Sequence, residues 1–201
     1  MRAAAGLQTS SRTPKGRAGA HAPDDRAWFL DSRWHDPVWI FKPTNALEEA
    51  KPVRVDWRFK LPSGHVFVEP RYARLLHSSK QLIALIRSRS LSTGLAQRAS
   101  TAAGYFMYLR ELVRWMDQAG FTRFADLDAT ALLRFQRSLA QRPGTRRDAL
   151  APTTVQKYLY LLTYLHRFCD ELDDGLRIDP FPGRSHGEVA GVRDADIRRW
   201  P

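Results

Sequence analysis

Apolar side chains recur at helical spacing along the second half of the chain. Tyr105, Leu109, Leu112 and Met116 share one face of a first segment, and Leu132, Phe135 and Leu139 share one face of a shorter second segment. Val155, Leu159, Leu162, Leu165, Cys169 and Leu172 form a stripe along a third. Each pattern predicts an amphipathic helix, and none is long enough to be stable alone, so the three stripes must be buried against one another. Local signals set the boundaries. Gly120 suits a left-handed helix end. Asp128 is a good N-cap for a helix over 129–142, which Pro143-Gly144 would end. Pro152 stands where a first-turn proline is tolerated. The stretch 101–180 reads as a small all-α core.

Upstream the period changes to two. Val53, Val55, Trp57, Phe59 and Leu61 alternate with Arg54, Asp56, Arg58 and Lys60, the pattern of a half-buried strand. Pro62-Ser63-Gly64 supplies a turn and 66–68 a second short strand, so a hairpin is expected there. Residues 38–41 could add a third strand, since an isolated hairpin is marginal in water, and 45–51 a single helical turn. An apolar edge of Trp28, Trp34, Trp39 and Trp57 would pack on the helix that follows. Leu75, Leu76, Leu82, Ile83, Leu85 and Ile86 give that helix, 71–89, its apolar face, and 88–94 reads as a flexible link. Residues 1–25 lack periodicity and read as a disordered tail; the alternatives are a basic arm touching phosphates through Arg2, Arg12, Lys15 and Arg17, or a transit peptide. The expected division is a tail (1–25), an arm with hairpin and basic helix (26–94), a helical core (95–181) and, over 182–201, a linker or the truncated start of a catalytic domain. The fold class is mainly α.

Charge narrows the partner. The 201 residues carry a net charge of +11, and residues 1–100 hold 17 Lys/Arg against 8 Asp/Glu. A polyanion is the natural inference, although an anionic membrane or plain solubility also fits a basic balance. From Arg71 to Arg110, both included, there are seven basic residues and no acidic one, which makes Lys80, Arg87 and Arg98 candidate phosphate contacts. The link before the last helix exposes Arg142, Arg146 and Arg147. Opposite that helix's apolar stripe run Thr153, Gln156, Lys157, Tyr160, Tyr164 and Arg167, with Thr154 at its start. Such a stripe can be simple solvent-facing polarity. Hydroxyls at a helix N-terminus with Lys and Gln one turn on are also what phosphate and base-edge contacts require. Asp170, Glu171, Asp173 and Asp174 crowd the other end, where the macrodipole disfavours them, so that end should face away from a polyanion.

Cys169 is the only cysteine and falls on the apolar stripe, so a packed core thiol is expected and no cysteine-rich zinc site can form. No apolar run reaches the roughly 18–20 residues of a membrane span, and a cytoplasmic protein without cofactor is the expectation.

The order of residues in the core is also informative. Thr101-x3-Tyr105-x3-Leu109, Trp115, Gly120, Asp126-Leu127-Asp128, Thr153-Thr154-Val155, Leu162, Phe168, Gly175 and Asp179-Pro180-Phe181 follow at tight spacing. This resembles the core-binding, SAM-like domain of the tyrosine recombinase (phage integrase) superfamily over about 80 residues. The family usually has Asn where Asp179 stands and often Ser near Ala151. The resemblance implies a helical clamp on double-stranded DNA, with Thr101 among the contacts, working beside an intact recombinase or copies of itself. Strand exchange in the family needs an arginine pair, His-x-x-Arg and a nucleophilic tyrosine. None of the six histidines here begins His-x-x-Arg, and every tyrosine lies at or before Tyr164. The chain is therefore expected to bind without catalysing. A free-standing regulator of recombination sites and a helical protein-interaction module are the alternatives.

Overall fold

The computed structural model describes residues 29–43, 52–142 and 149–191. Among them, an antiparallel strand pair, β1 (Val38–Phe41) and β2 (Val53–Asp56), precedes five helices. The helices are α1 (Ala73–Ser88), α2 (Ala99–Ala119), α3 (Ala129–Ala140), α4 (Pro152–Arg167) and α5 (His186–Ala190). The mainly helical class follows from the sequence, but the strand pairing differs from the expected hairpin. Trp39 faces Val55 and Phe41 faces Val53, so residues 38–41 are a main partner and not an added third strand.

The alternation of 53–61 does persist as burial: Val55, Trp57 and Leu61 are buried, while Arg54, Asp56, Arg58 and Lys60 are exposed. What it does not encode is the partner. Asp56 accepts from the backbone and guanidinium of Arg58, and the strand stops there. The Trp57 amide then donates to Pro37, and only a single bridge, Lys60 to Val66, closes over the 62–64 turn. Gly64 holds φ +90 in that turn, the left-handed region open to glycine. The expected helical turn at 45–51, Trp28 and the 1–25 tail lie outside the described residues.

The strand pair and the helices share one buried cluster. Trp39 meets Trp57 at 5.2 Å, and Trp57 meets Phe106 of α2 at 5.0 Å. From there the core continues through Leu109, Leu112 and Met116 to Phe135 of α3 and Leu159, Leu162 and Leu165 of α4. Segments 26–94 and 95–181 are thus joined by a common core. Polar staples complete the joint. Asp117 of α2 accepts from the Ser63 amide (2.8 Å), the Ser63 hydroxyl (3.0 Å) and the Tyr72 hydroxyl (2.9 Å).

Caps fall where local signals place them. Asp128 accepts from the Ala131 amide at 2.7 Å, and Gly120 ends α2 at φ +79. The last long helix is shorter than its apolar stripe. It ends at Arg167, and a turn carries Phe168 and Leu172 inward. This rotates Cys169 out of the core. It is half-buried, not the packed core thiol expected from the stripe, and burial together with Asp170 pushes its thiol pKa up. Ser185 and Glu188 form a capping box that starts α5, which packs on α4. No described helix is long and apolar enough to cross a membrane.

Gly175 is fixed by space. A Cβ there would lie 2.6 Å from Cys169 Cα and 2.9 Å from its carbonyl oxygen, both backbone atoms that cannot swing aside. Gly175→Ala is expected to cost about 2–3 kcal/mol through overpacking, read as a lower urea midpoint with unchanged slope.

Candidate nucleic-acid interface

Helices α2 and α4 run antiparallel along an aromatic seam. Gln97, just before α2, donates its amide to the Tyr164 hydroxyl at 2.9 Å. Further along, the rings of Tyr105 and Tyr164 meet at 5.0 Å and those of Tyr108 and Tyr158 at 4.8 Å. Burial, then the neighbouring Tyr164, raises the pKa of the Tyr105 phenol far above the ordinary value. Tyr164 was expected on the polar face. It is buried instead, because the start of α2 lies over that edge of α4.

The same packing sorts the other candidates. The face of α4 that buries Val155, Tyr158, Leu159, Leu162 and Leu165 leaves Thr153, Lys157 and Tyr160 exposed at successive turns, with Thr154 and Gln156 half-buried. Lys157 has no ion-pair partner among the described residues, and Tyr160 is 39% exposed with its ring 4.1 Å from His186 of α5. Arg98 is exposed at the N-cap of α2, and Thr101 is half-buried one turn before Tyr105. Since the helices are antiparallel, these two sit by the end of α4 remote from Thr153. The eleven residue steps from 153 to 164 span about 16 Å of helix. The candidates therefore fall at two ends of one seam.

Lys80 and Arg87 do not belong to any surface. Lys80 is 5% exposed, and its ammonium donates to the carbonyls of Trp34 (2.8 Å) and Asp36 (3.0 Å) while lying over the rings of Trp39 and Trp57. Burial lowers its pKa to about 8. Arg87 is fully buried and donates to the carbonyls of Gln97 and Lys42. Neither cation can reach a phosphate, so both are corrected from contact residues to interior staples.

The carboxylate-free run is also balanced from elsewhere in the chain. Arg89 pairs with Glu171, His77 lies 3.2 Å from Asp173, and Arg74 reaches the Asp173 carbonyl. Asp174 is 1% exposed and accepts from the backbone amides of Phe124 (2.7 Å) and Ala125 (3.1 Å). The acidic group beyond α4 thus consists largely of tertiary partners.

At the Thr153 end, the link from α3 delivers a cluster that sequence reasoning named only in part. Arg142 donates to Glu111 at 2.8 Å, while Arg110 and Arg114 approach the other oxygen of Glu111 at 3.9 and 3.8 Å. The Leu150 amide donates to the Arg142 carbonyl at 3.2 Å, tying this cluster to the start of α4. The local spacing of Arg110, Glu111 and Arg114 was legible; that Arg142 would join them was not. Arg146 and Arg147 lie outside the described residues.

Among the described residues no group of three or more His, Cys, Asp or Glu could hold a metal ion. No family model matches the chain, and no curated protein or solved structure gives a significant match.

Proposed function

We propose that this chain grips duplex DNA through the N-terminal half of α4, as the non-catalytic DNA-binding portion of a tyrosine-type recombinase. The observation that supports the reading best is the exposed row Thr153, Lys157 and Tyr160 on a helix whose opposite face is fully engaged in the core. The row begins at a helix N-terminus, where the dipole favours a phosphate. Beside it stand three guanidiniums around a single carboxylate. Lys157 would neutralise a phosphate, Thr153 would donate to its oxygen, and Gln156 and Tyr160 would meet sugar or base edges. Arg98 and Thr101 would engage a separate backbone segment at the far end of the seam. The absence of His-x-x-Arg from the sequence leaves this reading without strand exchange of its own.

Duplex titration by fluorescence anisotropy at 50 and 200 mM salt tests the reading. Binding that weakens steeply between the two supports it. Salt-independent or undetectable binding would favour the helical protein-interaction module. A recombination-site regulator shares the DNA contacts, and sequence-selective binding without an added recombinase would favour it.

A further inference from the structure

The cleft between α2 and α3 carries a charge mismatch that no other described residue balances. It encloses about 340 Å³ and is lined by Glu111, Arg114, Gln118 and Arg142 over a floor of Trp115 and Phe135. Arg142, Arg114 and Arg110 all lie within 3.9 Å of Glu111, whose side chain is only 14% exposed. Among the described residues, three guanidiniums thus share one carboxylate. The Arg142 guanidinium has one hydrogen-bonded oxygen, and Arg110 Nε is buried with no acceptor among the described residues. Protein interiors and half-buried clefts pair their charges, and unpaired guanidinium donors match the oxygens of a tetrahedral anion.

We propose that this cleft is a binding site for a phosphate-class dianion, held by Arg114 and Arg142 with the Gln118 amide at its mouth. Two guanidiniums line the cleft against one carboxylate, and Arg110 approaches the same carboxylate from outside the lining; this concentration of cations favours a dianion over a monocarboxylate. The floor does not favour a stacked base: Trp115 lies parallel to Phe121 at 5.8 Å and packs against Phe135 at 5.3 Å, so its ring is already engaged. Glu111 is then a competitor as well as an organiser. It holds the guanidiniums in place and lowers the affinity for a second anion. The site stands on the cluster alone and does not require the duplex reading.

The probe is inorganic phosphate, titrated at constant ionic strength, with the Trp115 indole N–H resonance as reporter and Trp115→Phe to assign it. A saturable shift with phosphate, and none with acetate at the same ionic strength, is expected. Arg142→Gln and Arg114→Gln should each weaken binding about fivefold, and Glu111→Gln should tighten it about fivefold, the range of a partly exposed charge pair. A purely structural cluster would instead lose thermal stability on Glu111→Gln with no gain in affinity. Absence of a saturable shift, or unchanged affinity in both arginine variants, overturns the proposal. Adding duplex then identifies the source: competition places a backbone phosphate in the cleft, and simultaneous binding makes it a site for a free phosphate compound. Lys157→Ala should leave phosphate affinity unchanged, which keeps this result separate from the fate of the duplex reading.

Discussion

Replacing Lys80 by alanine is expected to destabilise the fold by about 3 kcal/mol, within the range for emptying a long buried side chain. The stem of Lys80 fills a site beside Trp34, Trp39 and Trp57, and its ammonium ties residues 34–36 to α1. Lys80→Met keeps most of that volume. The Trp34 carbonyl would still accept from the Trp39 indole at 3.0 Å, leaving only the Asp36 carbonyl without this donor. Methionine should therefore cost only about 1 kcal/mol at pH 7, since it also removes the penalty of burying a charge. The pH dependence separates the two effects. With a folded pKa near 8 against an unfolded value of 10.5, the unfolded chain binds more protons between those limits. Stability from this group is fully present above the unfolded value and is lost as pH falls through the folded one. The wild-type protein should gain stability from pH 7.5 to 9.5, and Lys80→Met should gain less. Titration above that range would bring in buried tyrosines such as Tyr105, whose raised pKa acts in the opposite direction. Equal pH slopes for the two proteins in urea unfolding would contradict this account of Lys80.

Asp174→Ala is expected to cost a similar amount, about 3 kcal/mol, because it strands two backbone amides at the 124–126 turn. That turn feeds directly into the Asp128 cap of α3, so its loosening should also lower amide exchange protection at the start of α3. Asp174→Asn retains one acceptor oxygen and should lose about half as much. The neighbour provides the control. Asp173 is 49% exposed and faces His77, so Asp173→Ala should change stability by less than about 1 kcal/mol. Comparable losses at the two positions would mean that the buried carboxylate is not the staple described.

These residues also mark where the sequence could be read and where it could not. Periodicity located α1 to α4, and single residues such as Asp128, Gly120 and Pro152 set their ends, because caps and apolar stripes act over one or two turns. Strand partners depend on contacts beyond that range, and alternation over 53–61 was silent on whether Val55 would face Trp39. The charges failed for a similar reason. Lys80 and Arg87 look like any other cation in a basic run until the carbonyls of residues 34, 36, 42 and 97 close on them. Glu171 sits 82 residues from Arg89 at the end of α1, and Asp173 sits 96 residues from His77 within it. Local charge counting placed a phosphate-binding surface on α1, where tertiary pairing leaves little of it. It counted Arg110 only as the end of the basic run and passed over Arg114; their cluster forms only when the α3–α4 link brings Arg142 across. Lys157 and Thr153 survive as exposed candidates because the apolar stripe of their own helix fixes which side is buried.

The central proposal, that α4 presents its Thr153 end to a duplex, is tested most directly by the salt dependence of DNA binding in Lys157→Ala. Fluorescence anisotropy with a duplex of fixed sequence gives the slope of log K against log salt, and circular dichroism verifies that the helices persist. If Lys157 neutralises one phosphate, the slope should become shallower by about 0.9 while the fold is unchanged. A folded variant with the same slope and the same affinity as the wild-type protein would contradict the assignment of this helix face to DNA.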